Sequence, residues 1–186
     1  MSASENESST QETLYDFNLL VSCSWGGERW AKGEIINLLR ALGDEQPFVK
    51  RTPAWGIMGV RTTLQPRRVT TELRSLLQQN PLLFRATSKW VPVDIWTYSD
   101  IESLKEAVFR LRERIKPGET WRMSVEKRRY TQYHTIEIIE RLAELISEKV
   151  DLKQPDKILR VDIMGRYAAL SVLTPHEMFS TTKLTT

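Results

Sequence analysis

The last third of the chain contains short apolar alternations, and these restrict the fold more than any other feature. Residues 121–126 alternate as one strand, and 158–164 and 167–173 follow as two more, separated only by Gly165-Arg166. Such alternation predicts half-buried strands, because successive side chains point to opposite faces of a sheet. An amphipathic stretch over 135–150 predicts a helix between the first two strands. This layout presents cations at one edge of a sheet and no obvious catalytic group, which favours a surface for phosphates over a reaction centre.

The first half of the chain has a comparable pattern. Strands are predicted over 17–24, 46–51, 55–62 and 83–90, with a first helix ended by Gly43 and a second that starts at Pro66. Proline suits the first turn of a helix because the N–H that it lacks would have no partner there. Asn80-Pro81 then ends that helix. The order is that of a split βαβ, ferredoxin-like domain, which we expect over 14–83.

A second unit starts near residue 84. Residues 92–96 are predicted to be extended, and Ser99 with Glu102 has the spacing of a capping box before a helix that Pro117-Gly118 ends. The strands and helix of the last third complete this unit. We therefore expect an α+β fold, an α/β sandwich, with domains over 14–83 and 84–180 and tails over 1–13 and 181–186.

Composition excludes several classes of protein. The first 13 residues contain three Glu and no Lys or Arg, so the formal net charge of +3 becomes about +6 for the rest of the chain. This first segment is predicted to be disordered, and it lacks the basic start and apolar run of a signal peptide. No segment has the roughly 20 apolar residues that span a membrane. We expect a soluble, intracellular, cytoplasmic protein that binds polyanions.

Few residues are candidates for catalysis. Cys23 is the only cysteine, and its phase in a strand favours a small buried hydrophobe over a nucleophile. His134 and His176, the only histidines, have no serine or carboxylate at a telling spacing, and a zinc site is not expected. Residues 25–28, Trp-Gly-Gly-Glu, lack the spacing of a phosphate loop and indicate a plain turn before a helix. We expect no cofactor and no metal.

The basic residues carry the functional signal. Lys127, Arg128 and Arg129 end a strand and are followed by Tyr130, so cations for phosphates and a ring for stacking are adjacent. Arg166 occupies the tip of a two-residue hairpin turn, which strand geometry brings near the same sheet edge. The alternative is a solvated turn between a strand and a helix. We expect these cations to lie on one exposed face and to contact RNA.

Four other cations are weaker candidates for RNA contact. They are Lys89, Arg160, Arg67 and Arg68. Arg160 has an alternative partner in Asp162. Arg67 and Arg68 lie in the first turn of a helix, where the helix dipole disfavours cations, and this mismatch hints at an anionic ligand. The six tryptophans are interpreted as core residues.

Several segments together resemble a THUMP domain preceded by its N-terminal ferredoxin-like domain. They are residues 17–23 (FNLLVSC), 91–94 (VPVD), 118–128 (GETWRMSVEKR), the strand over 158–165 and 171–175 (SVLTP). The resemblance covers nearly all of residues 16–180. It rests on the order and spacing of these pieces, since none of them is a rigid motif by itself.

The resemblance implies a function. THUMP domains bind tRNA and are usually fused to an RNA-modifying enzyme, and we expect no room for such an enzyme here. The chain is similar to stand-alone THUMP proteins that assist an RNA cytidine acetyltransferase in making N4-acetylcytidine in tRNA. This implies a non-catalytic tRNA-binding adaptor with tRNA and the acetyltransferase as partners and no membrane. The alternatives are a small enzyme that uses Cys23 or a histidine, and a protein-interaction module with no role in RNA.

Overall fold

The structure, a computed structural model, describes residues 14–182. The predicted tail over 1–13 and the last four residues of the predicted C-terminal tail lie outside this range. Within it, no helix combines the length and the apolar character needed to cross a membrane. The described residues form two sheets and four helices of more than one turn, which confirms the α+β class.

The first sheet has the ferredoxin-like order of strands. The elements are β1 (Leu19–Cys23), α1 (Glu28–Ala41), β2 (Phe48–Arg51), β3 (Ile57–Arg61), α2 (Pro66–Gln79) and β4 (Thr87–Pro92). The strand order is β2-β3-β1-β4, all antiparallel. A two-residue strand from the end of the chain, Phe179–Ser180, adds to β4 as the outer strand, and it is β9 in chain order.

Helices α1 and α2 cover one face of this sheet. Their apolar stripes pack on Leu19 and Val21 of β1 and on Trp90 of β4, all fully buried. Pro66 occupies the first turn of α2, as the sequence predicts. Leu20, which points to the other face of β1, is also buried. Both faces of the first sheet are therefore buried near β1.

The second sheet is mixed. Its elements are β5 (Ile95–Tyr98), α3 (Ile101–Leu111), β6 (Trp121–Arg128), α4 (Thr135–Ala143), β7 (Lys157–Met164) and β8 (Tyr167–Leu173). The order is β5-β8-β7-β6, with β6 and β7 parallel and the other pairs antiparallel. Because parallel strands need a crossover, α4 and the loop after it connect β6 to β7. Helices α3 and α4 pack on the face that carries Leu159, Val161 and Ile163.

The uncovered faces of the two sheets pack against each other. Leu20 and Ile57 of the first sheet contact Met164 and Ala169 of the second in a small apolar cluster. The molecule is thus a four-layer sandwich, helices–sheet–sheet–helices. The apolar cluster fills only part of the space between the sheets, and polar residues line the rest.

Two helix boundaries differ from the prediction. The N-cap of α3 is Asp100, whose carboxylate accepts from the Ser103 N–H at 2.9 Å. The Ser99 hydroxyl instead donates to the Gly165 carbonyl at 2.7 Å, a contact with the second sheet's hairpin turn. Helix α4 ends at Ala143 rather than near 150. Ile146 continues the apolar spacing and is buried, but it lies beyond the helix, after a turn over 144–145.

Arg67 connects the helices of the first sheet to the second sheet. Its guanidinium binds both carboxylate oxygens of Asp94, at 2.8 and 2.9 Å, and donates to Glu177 at 3.2 Å and to the Val172 carbonyl at 2.9 Å. Asp94 lies between β4 and β5, and its side chain is only 5% exposed. Arg114 binds the same carboxylate at 2.9 Å. The anion that offsets the poor helix position of Arg67 is therefore part of this chain.

Burial by itself would raise the pKa of Asp94, but hydrogen bonds and charge from Arg67, the Val172 N–H and Arg114 hold it below its usual value. A carboxyl with a lowered folded-state pKa stabilises the fold above its unfolded pKa, about 3.9. This contribution is lost as the pH falls through the lower, folded-state pKa. The layers are thus joined by a charge pair that persists at neutral pH.

Replacing Arg67 with Met is expected to lower the free energy of unfolding by about 3 kcal/mol, because the buried Asp94 carboxylate loses its bidentate partner. Chemical denaturation at pH 7 measures this loss. Arg68→Ala is the matched control, since Arg68 is exposed and, among residues 14–182, pairs only with Glu72 one turn away; its effect should stay within about 0.5 kcal/mol. Equal effects of the two changes would contradict a structural role for Arg67.

Candidate nucleic-acid interface

A basic cleft separates the facing sheets beside the apolar cluster. It has a volume of about 480 Å³. Its cations are Arg74 of α2, Lys89 of β4, Arg122 of β6 and Arg160 of β7. Serines of both sheets, with Pro175, Met178 and Thr182, complete the lining, and none of the lining residues, all within 14–182, is acidic. We call this region the basic cleft.

Residues of β1, β4 and β6 line the basic cleft. Ser22 of β1 lies opposite Lys89 of β4, on the face that also carries Leu20. On β6, Arg122 and Ser124 point to this side, while Met123 packs on the helices of the other side. Alternation along the strands therefore brings cations from two separate sheets to one space.

Two guanidinium N–H groups in the cleft have no hydrogen-bond partner among the described residues. They are Nη1 of Arg74 and Nε of Arg122, and both atoms are buried. Arg74 donates once, from Nη2 to the Met178 carbonyl at 2.8 Å, and burial lowers the pKa of its guanidinium. Buried donors are nearly always satisfied, because an unmade bond costs about 1–3 kcal/mol. Two arginines that line one cleft, each with a donor that lacks a partner among the described residues, are suited to an anion.

The sequence-predicted residues Lys89 and Arg160 both line the basic cleft, but Arg160 has a second role. It is buried and binds both oxygens of Asp162, at 2.9 and 3.0 Å. Asp162, the alternative partner that the sequence offered for Arg160, is therefore its partner in the structure. Arg160 contributes to the wall of the cleft, while its charge is largely balanced by Asp162.

The two predicted basic turns meet at one edge of the second sheet. Arg128 ends β6 beside Met164 of β7, and the Gly165 N–H donates to the Arg128 carbonyl at 2.9 Å. Arg166, exposed at the next position, follows directly in the hairpin. Arg128 also lies 3.8 Å from Asp162, the partner of Arg160. The parallel pairing of β6 and β7 explains this proximity, since both strands end at the same edge.

The expectation that Lys127 shares an exposed face with its neighbours is wrong. Successive residues of a strand point to opposite faces, so Lys127 points to the helix side while Arg128 points to the side between the sheets. There the Lys127 ammonium donates to the Tyr133 carbonyl at 2.8 Å. Tyr130 is half-buried against the core of the second sheet, and its hydroxyl donates to the Ser99 carbonyl at 3.2 Å.

Arg129 leaves the strand and reaches the first sheet. Its φ of 55° lies in the left-handed region, which is uncommon for a residue with a side chain. Its guanidinium donates to the Pro53 carbonyl at 3.3 Å, in the loop between β2 and β3. Arg129 is exposed, so it remains accessible to a ligand while it bridges the two sheets.

The remaining predicted cations lie apart from the cleft cations. Arg67 is held by Asp94 and Glu177, and the exposed Arg68 pairs with Glu72. Contact of either with RNA stays a prediction. The main role of Arg67 is structural, because its donors already have partners within the chain.

The candidate catalytic residues show no activated group. Cys23 is half-buried beside the first core, and burial with the nearby Glu28 raises the pKa of its thiol although Arg51 opposes this. A raised pKa leaves less of the reactive thiolate at neutral pH. His134 and His176 are exposed. Within the described residues, no group of three or more metal-ligating side chains occurs.

Several site residues were missed by the sequence interpretation. Arg74 and Arg122 carry no local signal, since only the pairing of the sheets brings them together. Trp25 and Trp55 were taken as core residues but are 77% and 68% exposed. Both are followed by a glycine with positive φ, Gly26 and Gly56. A Trp-Gly pair in a turn was the signal that could have identified them.

Comparison with protein families identifies part of the chain. Residues 98–173 match the model of the THUMP domain. The match runs from the last residue of β5 to the last residue of β8, so it contains α3, α4 and the three strands of the basic turns. This part of the chain is a THUMP domain. No curated protein matches the chain.

Solved structures share the fold over most of the chain. PH1313 from Pyrococcus horikoshii Ot3 aligns with a TM-score of 0.63 at 14% identity, over 89% of this chain and 55% of its own. TrmN from Thermus thermophilus aligns at 0.55 and 18%, over 83% and 44%. A 4-thiouridine synthetase, solved with RNA and ATP, aligns at 0.53 and 15%, over 89% and 42%. This chain thus spans about half the length of these proteins, and at such identities the likeness concerns the fold alone.

Two arginines of the basic cleft should respond oppositely to the same substitution. Arg122→Met removes an unsatisfied buried donor, so the melting temperature should stay unchanged or rise. Arg160→Met leaves the buried Asp162 without its bidentate partner, so the free energy of unfolding should fall by about 3 kcal/mol. Thermal and chemical denaturation of both variants, without any ligand, measure the difference. A large loss of stability in Arg122→Met would mean that Arg122 is a structural residue.

Proposed function

We propose that this chain, whose residues 98–173 form a THUMP domain, binds tRNA and acts in tRNA modification without a catalytic centre of its own. One observation carries the proposal: the basic cleft places buried, unsatisfied arginine donors from α2 and β6 beside Lys89, with no carboxylate in its lining. A phosphate oxygen supplies the missing acceptors. Arginine is well suited to this role because its fork of N–H groups fits phosphate geometry.

A second group of cations, Arg128, Arg129 and Arg166, extends the surface of the basic cleft, and we call it the basic edge. Arg128 lies 3.8 Å from Asp162, the carboxylate that binds Arg160 of the cleft wall. Arg129 and Arg166 follow at the ends of β6 and β7. Contacts of this kind position the RNA backbone without reading its sequence. Structured RNA suits such a surface because its phosphates are fixed in space. One of the proteins that share this fold was solved in complex with RNA.

The finer part of the proposal concerns the reaction. The resemblance to stand-alone THUMP proteins supports a role in presenting tRNA to an RNA cytidine acetyltransferase, which makes N4-acetylcytidine. In this proposal the acetyltransferase supplies the chemistry, and this chain supplies affinity and orientation. The raised pKa of the Cys23 thiol supports a non-catalytic role over the small-enzyme alternative. A protein-interaction role without RNA stays the second alternative.

Binding to tRNA is expected to weaken steeply with salt, because each phosphate contact releases counterions. The logarithm of affinity should fall with the logarithm of salt concentration by roughly 0.7–0.9 per contact. Replacing both Arg74 and Arg122 with Met should weaken binding to all tRNAs about equally. It should also reduce the slope by the amount that about one to two phosphate contacts contribute. Fluorescence anisotropy with one labelled tRNA over a salt series measures both quantities.

The matched control is Arg110→Met, because Arg110 is exposed on α3, on the far side of the second sheet. It should leave affinity and slope unchanged. A wild-type protein that binds no tRNA at low salt, or binds it with no salt dependence, would refute the proposed function. Equal slopes for the double variant and the control would show that RNA binds elsewhere on the molecule.

The adaptor role predicts a rise in modification. An RNA cytidine acetyltransferase should form more N4-acetylcytidine on tRNA with the wild-type chain than without it. The Arg74→Met/Arg122→Met variant should lose this stimulation, because it no longer holds the tRNA, while Arg110→Met should keep it. Mass spectrometry of nucleosides from digested tRNA measures the product. Equal product with and without the chain would contradict the adaptor role but not the binding of tRNA.

A further inference from the structure

Two exposed indoles form a pair at the end of the first sheet. Trp25 lies in the turn between β1 and α1, and Trp55 in the turn between β2 and β3. Their side chains are 77% and 68% exposed, yet their ring centroids are only 5.9 Å apart, at an interplanar angle of 40°. Tryptophan is highly buried on average. Two in contact on an open surface therefore indicate a function that needs aromatic faces in solvent.

The turns that carry the pair are firmly held. The Glu28 carboxylate accepts from the Gly56 N–H at 3.3 Å, which connects the start of α1 to the Trp55 turn. The Gly56 carbonyl in turn accepts from the Cys23 N–H at 2.8 Å. The hydroxyl of buried Thr52 donates to the Ile57 carbonyl at 2.8 Å. These hydrogen bonds hold the two turns against the ends of their strands, so the positions of the indoles are set before any ligand binds.

Glycine is required at the position after each indole. Gly26 has a φ of 79° and Gly56 a φ of 77°, in the left-handed region that disfavours a side chain. A Cβ on Gly56 would also lie 3.0 Å from the Cys23 carbonyl oxygen. These turns direct the two tryptophans outward, so their exposure follows from the backbone geometry of the turns.

Cations flank the indole pair. Arg51 and Arg129 line the same depression, which has a volume of about 450 Å³. Both arginines are exposed, and Arg129 comes from the basic edge of the THUMP domain. The depression contains one acidic residue, Glu28, whose carboxylate is already bonded to the Gly56 N–H.

We propose that Trp25 and Trp55 form a stacking site for an unpaired nucleobase of RNA, with Arg51 and Arg129 on its flanking phosphates. This inference rests on the proposed function and adds a second element, the recognition of a single-stranded segment. Unpaired bases stack on aromatic side chains while cations follow the backbone. The two indoles and two arginines supply both kinds of contact in one depression.

The geometry specifies how the base binds. A base inserted between two rings needs roughly 7 Å, twice the van der Waals spacing of about 3.5 Å. The centroid distance of 5.9 Å is too short for that. The base therefore stacks on an outer face of the pair, and the second indole extends the platform to its neighbour. A volume of about 450 Å³ accommodates a nucleotide-sized ligand.

Strand β6 connects the stacking site to the basic cleft, because Arg122 and Ser124 of β6 line the cleft and Arg129, just after the strand ends, lines the stacking site. Arg129 lies at the stacking site, and the preceding residue, Arg128, lies 3.8 Å from Asp162, which binds Arg160 of the cleft wall. One RNA molecule thus meets phosphate contacts along β6 and a base platform at its end. This continuity favours RNA over a protein as the occupant of the indole pair.

The test compares single-stranded with double-stranded RNA on the full chain. The variant Trp25→Leu/Trp55→Leu keeps apolar bulk but removes the aromatic faces. It should bind a single-stranded oligouridine about 10-fold or more weakly than the wild type, since stacking contributes strongly per base. Its affinity for a blunt RNA duplex should be unchanged. Its salt slope should also be unchanged, because stacking releases no counterions.

Two further variants serve as controls. Trp30→Leu is matched, because Trp30 is also 77% exposed but lies on α1 beside Leu82, outside the stacking site. It should bind oligouridine like the wild type. Trp25→Phe/Trp55→Phe restores aromatic faces and should recover most of the lost affinity. If the double leucine variant does not fold, Trp55→Leu alone should still show a loss of several-fold.

The outcomes separate this inference from the proposed function. A wild-type protein that binds tRNA, with the leucine and Trp30 variants binding oligouridine equally, refutes the stacking site and leaves the proposed function intact. A wild-type protein that binds no RNA refutes both. Loss in the leucine variant without recovery in the phenylalanine variant would also overturn the inference, since a stacking site needs only an aromatic face.

Discussion

The buried carboxylate of Asp94 is the interaction on which the arrangement of the two sheets depends. It lies in the short connection between β4 of the first sheet and β5 of the second, and Arg67, Arg114 and the Val172 N–H all bind it. Arg67 adds Glu177 from the segment that leads to β9. Every partner comes from a different part of the chain. The pair therefore specifies one packing of the layers, which an apolar cluster of a few residues would define less sharply.

The basic cleft exists because the sheets are held in this way. Facing sheets normally fill the space between them with apolar side chains, and here Leu20, Met164 and Ala169 do so only in one region. Beyond it, Arg122 and Arg160 point into the gap from one sheet and Lys89 from the other. Like charges that face each other disfavour the packing. The fold tolerates them because the ion pairs around Asp94 and the apolar cluster offset the cost.

Local sequence patterns predicted the elements well and the site only in part. The hairpin at Gly165-Arg166 and the start of α2 at Pro66 follow from backbone chemistry that acts within a few residues. The cap of α3 and the end of α4 were missed because Ser99 and Ile146 are used by long-range contacts. Periodicity describes which residues are apolar, but it does not say whether a helix or a turn buries them.

Arginine shows most clearly why the site itself needed the structure. Arg67, Arg160 and Arg122 are the same residue type, and the sequence ranks them by position alone. In the fold, the first two are matched by carboxylates, Asp94 and Asp162, and hold the protein together. Arg122 has a buried N–H without a partner and borders an open cleft. A cation whose donors are satisfied within the chain contributes to stability, and one whose donors are not is prepared for an external anion. This distinction, more than the number of basic residues, is the basis of our proposal that the RNA backbone follows β6.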